Sequence, residues 1–356
     1  MNLESSLASF SAKVRAQLPR LFARYQSVTA GGGACYVNQP GQPRATRPNC
    51  DAVEIAALFN TPPPGRDRAG WVGFLQSLQD PASGLAPDYT ADDARLNPPP
   101  PAEFQFADQY STMAVNYALE CLGARLALPV TNAARVDEAL LVTTLDGLHW
   151  RDAAWGAGHW IDCHASCLCA NRRHFGLDAP FATLFAWLDR HCDPVSGLWG
   201  APTAAERWLQ PVNGFYRLTR GAYAQFGRPL PQPRAAKETI WRHAADVGFF
   251  GAGRGNACYV LDVAHPLWLC LKQDPARRDE IRDWAAARLP LALTRWQDGR
   301  GFAFDPFAAG ADGEPGLQGT EMWLSIIWLL ADLCGAAASL GYEPQGVHRP
   351  APALTV

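Results

Sequence analysis

Two kinds of apolar pattern alternate along the chain. In the first kind, apolar residues recur every three or four positions with charged residues between them, as at 135–141 and 277–284. This spacing is typical of an amphipathic helix with one face in solvent. Stretches of the second kind are apolar nearly all round, as at 160–170, 258–271 and 322–333. A helix without a polar face is predicted to be buried on every side.

The buried helices recur at a regular interval. They are predicted to start near Asp108, His159, Trp208, Asn256 and Leu317. These starts define a period of about fifty residues, with a longer last unit, and such a period indicates a repeat architecture. Each unit then consists of one outer helix with a polar face and one inner helix without it.

The front of the chain adds one more copy of this unit. An amphipathic helix is predicted over about Leu3 to Tyr25, and a buried helix starts near Asn49. Strands are not expected, because no stretch alternates apolar and polar residues for more than a few positions. The sequence therefore predicts an all-α fold, an (α/α)6 toroid or barrel of about six helical hairpins around a central cavity. A single toroid domain is expected to take up residues 1–356.

Helices of the first kind end in a recurring turn of Asp, Gly and often Pro and Ser, with copies at 78–85, 191–199 and 296–302. In such a turn Asp bonds nearby backbone groups, Pro stops the helix and Gly supplies a positive φ. This turn before a buried helix resembles the repeat of the terpenoid cyclase and protein prenyltransferase α/α toroids, over about 71–333. Six-hairpin glycosidases and sugar epimerases share the architecture. The resemblance implies the fold more directly than a reaction.

Two insertions interrupt the repeat, at about 28–49 and 86–107, the second with four prolines at 98–101. Loops of this length often form a lid or rim over a binding site, and a proline-rich segment also serves as a stiff wrap along the surface. The sequence leaves both interpretations open.

Composition excludes several classes of protein. Apolar residues make up 48% of the chain and charged residues 18%, enough for a large core, and 31 Lys and Arg face 34 Asp and Glu without a basic tract. Nucleic acid is therefore not an expected partner. No apolar segment predicts a signal peptide or a membrane span. We expect a cytoplasmic protein of bacterial-type, arginine-rich composition whose ten cysteines are reduced and mostly buried.

Ionisable residues on the buried helices are the candidates for chemistry, because burying them is costly unless they are paired or used. On the third inner helix His159 and Asp162 are one turn apart, and on the fifth Asp262 and His265 follow Asn256 and Tyr259 at the same spacing. A carboxylate one turn from an imidazole is an acid–base unit. The alternative is a buried hydrogen bond that ties helices together.

Other polar residues interrupt the remaining inner helices. They are Asp51, Glu54, Asp108, Gln109, Tyr110, Asn213, Tyr216, Arg220, Gln318 and Glu321. Asp51, Asp108 and Asn256 are predicted to cap their helices. Glu321 opens a very apolar run, so we expect a raised pKa and the role of a general acid. Aromatic residues nearby, among them Trp160 and Trp323, either pack or stack on a substrate.

A metal site is not favoured, and no organic cofactor is expected. The crowded Asp162, Cys163, His164 and Cys167 would be the first zinc ligands, but no second cysteine pair follows at finger-like spacing. Walker A, dinucleotide-binding and G-x-S-x-G motifs are absent from the sequence, as is an Asp-x-Asp-Asp cyclase motif on a buried helix.

These observations predict an enzyme that uses acid–base chemistry in the central cavity. The expected class is a lyase or isomerase acting on an isoprenoid-like or other apolar small molecule. The predicted catalytic residues are His159, Asp162, Asp262, His265 and Glu321. The predicted substrate-binding residues are Tyr110, Trp160, Asn213, Tyr216, Arg220, Tyr259 and Trp323.

Two alternatives stand beside this hypothesis. The first is a carbohydrate-active enzyme on the same scaffold, a glycoside hydrolase, epimerase or lyase. The second is a toroid that binds or scaffolds without catalysis, whose inner polar residues only cross-link helices. Self-association into a homo-oligomer stays open.

Overall fold

A computed structural model describes residues 2–29, 31–88, 106–251 and 253–354. Within these residues the chain is all-α, with fourteen α-helices and two small sheets, so the predicted fold class is confirmed. The helices are α1 (Leu3–Tyr25), α2 (Thr46–Leu58), α3 (Arg68–Ser77), α4 (Phe106–Cys121), α5 (Thr131–Ala134), α6 (Glu138–Gly147), α7 (Ala154–Phe175), α8 (Phe181–His191), α9 (Leu209–Thr219), α10 (Pro233–Ala244), α11 (Val247–Phe250), α12 (Ala257–Leu271), α13 (Arg278–Thr294) and α14 (Leu317–Leu333).

The two sheets are antiparallel pairs of very short strands. Strands β1 (Gln26–Val28) and β2 (Ala34–Tyr36) pair with Ser27 opposite Cys35. Strands β3 (Phe302–Ala303) and β4 (Pro315–Gly316) pair with Phe302 opposite Gly316. A strand of two or three residues is too short for alternation to show in the sequence. The first pair borders the insertion predicted at 28–49, which contains β2, whereas 89–105 of the second insertion lies outside the described residues.

The division into outer and inner helices is confirmed by burial. In α12 every residue is buried except Tyr259, which is half-buried, and α2 is buried except at Arg47. In contrast, α13 buries only Ile281, Ala285, Leu289 and Ala292. These residues form one stripe of the helix, and the opposite face is exposed to solvent.

Four of the five predicted starts of inner helices lie within two residues of the observed ones, and the start of α7 does not. This helix begins at Ala154, five residues before the expected His159. From the sequence alone, the glycines in its first turns favour a break in the helix. In the structure Gly158 lies so close to α9 that a Cβ there would be 2.1 Å from the carbonyl oxygen of Gly214. The glycine serves close helix packing and does not end the helix.

The recurring turn has the predicted form. In the copy at 191–199 the backbone N–H of Asp193 donates to the carbonyl of Leu198 at 3.0 Å, and the Asp193 side chain accepts from Val195 N–H at 2.7 Å. Gly197 has φ 72°, and a Cβ there would be 2.1 Å from the backbone nitrogen of Ala236. Only glycine fits this position without strain.

The chain divides into two compact units. Unit 1 consists of residues 1–80, 85–127 and 279–350, and unit 2 of residues 81–84, 128–278 and 351–356. In unit 1, α2 packs against both α4 and α14, and in unit 2, α9 packs against both α7 and α12. The single toroid domain over 1–356 stays a prediction.

Contacts between distant parts of the sequence close unit 1. The side-chain oxygen of Gln17 on α1 accepts hydrogen bonds from Trp296 Nε1 at 2.9 Å and from Gly299 N–H at 2.7 Å. At the end of the same helix the Tyr25 hydroxyl donates to the backbone carbonyl of Arg300 at 2.5 Å. The first helix is therefore fixed by residues from the last quarter of the chain.

All ten cysteines are free thiols and eight are buried, as predicted. Of the helices in the described part of the chain, none has the length and apolar character to cross a membrane.

Candidate functional site

Each unit contains a buried cluster of ionisable side chains among its described residues. The carboxylate cluster of unit 1 consists of Arg47, Asp51, Glu54, Glu321 and His348. The arginine cluster of unit 2 consists of Asp162, Arg217, Arg220 and Asp262 with the Tyr216 hydroxyl. Three of the predicted catalytic residues lie in these clusters, namely Asp162, Asp262 and Glu321.

Arg47 contacts two other members of the carboxylate cluster and its neighbour Tyr110. Its Nε donates to Asp51 Oδ1 at 2.5 Å, one turn further along α2. Its Nη2 lies 3.8 Å from Glu321 Oε2 on α14, and its Nη1 donates to the Tyr110 hydroxyl on α4. The arginine side chain is 20% exposed, against 0% for Asp51 and 4% for Glu321. Solvent therefore reaches the cluster along Arg47.

Only one of the two carboxylate oxygens of Glu321 takes part in hydrogen bonds within the described residues. Oε1 accepts from the Ser325 hydroxyl at 3.1 Å, and His348 Nδ1 lies 2.9 Å from the same oxygen. Oε2 has no hydrogen-bond partner in the described residues and only the longer ion-pair contact with Arg47. Asp51 repeats this arrangement, because Arg47 holds Oδ1 while Oδ2 has no hydrogen-bond partner among the residues described. Each carboxyl group is thus oriented by one oxygen, while the other is buried without a hydrogen-bond partner among the described residues.

The carboxyl groups of this cluster differ in their pKa. Burial raises the pKa of Asp51 to about 6, although Arg47 opposes the shift. Burial, together with the charge of Glu321, raises the pKa of Glu54 well above its usual range. For Glu321 burial acts in the same direction, but His348, Arg47 and the Ser325 hydroxyl outweigh it and lower the pKa. The predicted raised pKa of Glu321 is therefore wrong, because its partners were not foreseen.

The arginine cluster is built around Asp162 on α7. Arg220 Nε donates to Asp162 Oδ1 at 3.2 Å and Arg220 Nη2 donates to Oδ2, a bidentate pair. Arg217 Nη1 lies 3.8 Å from Oδ2, and Arg220 Nη1 donates to the Tyr216 hydroxyl at 2.9 Å. Arg220 begins a π-helical turn, Arg220–Ala224, that continues α9.

Asp262 on α12 is fully buried, and neither carboxylate oxygen has a hydrogen-bond partner within the described chain. Burial raises its pKa well above the usual range, while Arg217 and Arg220 act in the opposite direction. The hydrogen bond predicted between Asp262 and His265 is not formed. The His265 ring instead lies edge-on to Tyr216, with ring centroids 5.3 Å apart, and near Trp268 at 5.6 Å.

The structure places the other predicted site residues as follows. His159 Nδ1 lies 3.9 Å from Cys163 Sγ, and Asp162, its predicted partner, bonds to Arg220. Trp323 is buried, and its Nε1 donates to the backbone carbonyl of Ala303 at 3.0 Å. Neither polar atom of the buried Asn213 side chain has a hydrogen-bond partner in the part of the chain that is described. Tyr259 is half-buried, with its ring edge-on to Phe249.

The suspected zinc ligands lie close together in sequence on α7. Trp160 stacks on the His164 ring at 4.7 Å, and burial lowers the His164 pKa to about 4. Burial also raises the pKa of Cys163 well above its usual range and that of Cys167 to about 12. In the described residues no three His, Cys, Asp or Glu side chains are grouped to hold a metal ion. The expectation of no resident metal stays a prediction.

One of the predicted caps is confirmed and one is wrong. Asn256 Oδ1 accepts from Tyr259 N–H at 2.9 Å and caps α12. Asp51 is no cap, because α2 already begins at Thr46 and places Asp51 in its interior.

Sequence reasoning missed three charged residues of the clusters, Arg47, Arg217 and His348. Arg47 was recoverable, since it stands four residues before Asp51 on one helix and such pairs meet. His348 was not, because it reaches Glu321 from an irregular segment whose position depends on tertiary contacts alone.

Residues of α2 line two cavities of unit 1. A cavity of about 300 Å³ is lined by Arg44, Thr46, Asn49 and Arg66 among others, and one of about 240 Å³ by Val53, Ala57, Cys121 and Gln345 among others. Neither of these two is lined by Asp51 or Glu321.

No protein-family model matches the sequence, and no curated protein does either. Three solved structures are similar to the chain, all named as glycosidase variants and one of them in complex with glucose. Their sequence identity to the chain is 15%, 16% and 15%, and the TM-score is 0.49 for each. The alignments cover 94% of this chain and 99% of the other chain. None of the three carries the name of a terpenoid cyclase or prenyltransferase, so that resemblance stays a prediction.

Proposed function

We propose that the protein is a carbohydrate-active enzyme that cleaves a glycosidic bond with Asp51 and Glu321 of the carboxylate cluster. One observation carries the proposal. The two carboxyl groups are both oriented through one oxygen, and each presents its second oxygen without a hydrogen-bond partner among the described residues. Cleavage of a glycosidic bond requires two such groups, one that gives a proton and one that stays ionised.

The opposite pKa shifts assign the two roles. Since its pKa is raised to about 6, Asp51 is the proton donor, whereas the lowered pKa of Glu321 keeps that group ionised. Asp51 Oδ2 gives its proton to the glycosidic oxygen as the bond to the anomeric carbon breaks. Glu321 Oε2 either attacks that carbon or removes a proton from the attacking water. One water molecule is consumed, and both carboxyl groups return to their starting states.

Arg47 sets the distance between the two groups. A single guanidinium group contacts both carboxyls, which keeps them inside the ~10 Å limit of glycoside-cleaving pairs. Its Nη1 also donates to the Tyr110 hydroxyl, which brings the predicted substrate-binding residue Tyr110 next to the pair.

The test is a hydrolysis assay with a panel of 4-nitrophenyl α- and β-glycosides and unmodified disaccharides. We expect turnover of at least one sugar class by the native protein. Asp51→Asn and Glu321→Gln should each lower kcat/KM by about 10²- to 10⁴-fold, the usual contribution of one acid or base. Glu343→Gln is the matched control, because Glu343 is exposed. Absence of turnover across the panel, or full activity of both variants, would overturn the proposal.

A second candidate rests on Asp262. Burial raises the pKa of this carboxyl group and so favours the protonated form, which would give a proton to an apolar substrate in an isomerase or lyase step. Exchange of solvent deuterium into isoprenoid alcohols and diphosphates would support this function if Asp262→Asn abolishes it. Exchange that is unchanged in the variant would refute it.

A further inference from the structure

The C-terminal segment 345–349 lies against the carboxylate cluster and contacts α2 and α14, which form it, as well as the neighbouring α4. Gln345 Nε2 donates to the backbone carbonyl of Ala57 on α2 at 3.3 Å. Val347 N–H donates to Glu54 Oε2, also on α2, at 2.9 Å. Arg349 pairs with Glu120 on α4 and lies over the ring of Tyr117, 5.3 Å from its centroid. His348, between these anchors, meets Glu321 on α14.

Close packing fixes the path of this segment. A Cβ on Gly346 would lie 2.0 Å from Glu54 Oε2, so only glycine lets the backbone approach the carboxyl group so closely. The next two residues, Val347 and His348, are 8% and 3% exposed. The imidazole therefore has little freedom to leave Glu321.

We propose that His348 is a positioning residue, which holds the Glu321 carboxylate in one orientation and keeps Oε2 directed at the substrate. This inference rests on the proposed function and adds to it the residue that orients the ionised carboxylate. An ionised carboxylate only accepts hydrogen bonds, so His348 Nδ1 is the donor. The bond at 2.9 Å fixes Oε1, and the Ser325 hydroxyl on the same oxygen fixes the plane of the carboxylate.

His348 acts among several other ionisable groups, which any pH experiment has to take into account. Those that interact with Glu321 or Glu54 are Arg47, Asp51 and Cys50 on α2 and Cys121 on α4, and Glu120 and Arg349 in turn lie near Cys121. Asp51 titrates at a pKa of about 6, and the pKa of both thiols is raised by burial. The group that gives up its proton at the acid end of the profile is therefore Glu321.

The test compares His348→Leu with His348→Asn in the full chain. Leucine removes the donor, so we expect the acid limb of the kcat/KM profile to move up by about 1 pH unit or more, with kcat reduced at least tenfold at pH 5. Asparagine places an amide N–H near the position of Nδ1, so it should recover a good part of kcat. The acid limb of the kcat/KM profile should stay displaced, because asparagine carries no positive charge. KM should change little in both variants.

Infrared spectroscopy provides a second measurement, which does not require a substrate. Infrared difference spectra of the carboxyl band, recorded against Glu321→Gln, report protonation of Glu321 in native and variant protein. If His348→Leu does not fold, Arg349→Met loosens the segment without touching Glu321 and should move the same band in the same direction by a smaller amount.

The outcomes separate this inference from the proposed function. No glycoside turnover by native protein, with the infrared shift present, would refute the proposed function and leave the positioning contact supported. Full turnover by His348→Leu with an unmoved acid limb and an unmoved carboxyl band would overturn the inference while the proposed function stands.

Discussion

The two buried clusters are made of similar residues and differ in their balance of charge. In the arginine cluster, two carboxyl groups face two arginines, and Arg220 binds Asp162 through both oxygens. In the carboxylate cluster, Asp51, Glu54 and Glu321 share Arg47 and His348, so the carboxyl groups outnumber the permanent positive charges. The bidentate Asp162–Arg220 pair holds its charges in place, whereas surplus buried carboxyl groups favour the protonated form.

This difference suggests a division of roles. Removing one partner from a buried ion pair leaves an uncompensated charge, which is costly for stability. Removing a carboxyl group that is already protonated costs far less, but it removes a group able to give a proton. We therefore expect changes in unit 2 to affect folding and changes in unit 1 to affect chemistry.

The largest effect should come from breaking the balanced pair. Arg220→Met leaves Asp162 buried without its bidentate partner, and we expect the free energy of unfolding to fall by about 3–5 kcal/mol. Urea denaturation measures this change. The double variant Asp162→Leu with Arg220→Met should recover much of the loss. A change below about 1 kcal/mol for the single variant would show that the pair is not structural.

The next effect concerns the histidine beside the arginine cluster. Burial lowers the His164 pKa to about 4, below the value of an unfolded histidine, so the unfolded state takes up its proton first. Stability is therefore lost as pH falls from about 6.5 towards 4, by on the order of 3 kcal/mol from this residue. His164→Phe should remove that part of the acid dependence in melting curves. His149→Phe, at an exposed position, is the control and should leave the dependence unchanged.

A smaller effect is expected in the pH profile of the carboxylate cluster. Because the pKa of Asp51 is about 6, the acid form of this group is lost above that pH, and kcat/KM should fall about tenfold per pH unit. The profile of the native enzyme from pH 4 to 9 measures this limb. A rate that stays level up to pH 8 would exclude Asp51 as the proton donor.

The smallest effect is expected for Glu54, and it separates the role of Glu54 from that of Glu321 within the carboxylate cluster. Burial raises the pKa of Glu54 well above its usual range, which favours the neutral form, and Gln keeps an oxygen for Val347 N–H. Glu54→Gln should therefore change activity less than threefold and stability by less than about 1 kcal/mol, unlike Glu321→Gln. Glu54→Leu leaves the Val347 N–H without an acceptor and should cost about 1–3 kcal/mol in urea denaturation.

The fold was largely predictable, because its signals are local. The burial of α12 and the solvent-exposed face of α13 both follow from the spacing of apolar residues. Asn256 likewise caps the helix that it precedes. The clusters were predictable only in part. Asp162, Asp262 and Glu321 stand out as charges on apolar helices, but their partners are chosen by packing. The Asp162–Arg220 pair joins two helices, and His348 reaches Glu321 from a segment with no periodic pattern. A sequence shows which groups are costly to bury and does not show which groups compensate them.

The hydrogen bonds between α1 and residues 296–300 have a consequence for folding during synthesis on the ribosome. Gln17 and Tyr25 are synthesised 279 and 275 residues before their hydrogen-bond partners Trp296 and Arg300. Residues 128–278, which supply most of unit 2, are complete before those partners exist. We therefore expect unit 2 to gain protease resistance on stalled ribosomes first, while α1 waits with its apolar face uncovered. That waiting period is when the nascent protein is most in need of a chaperone.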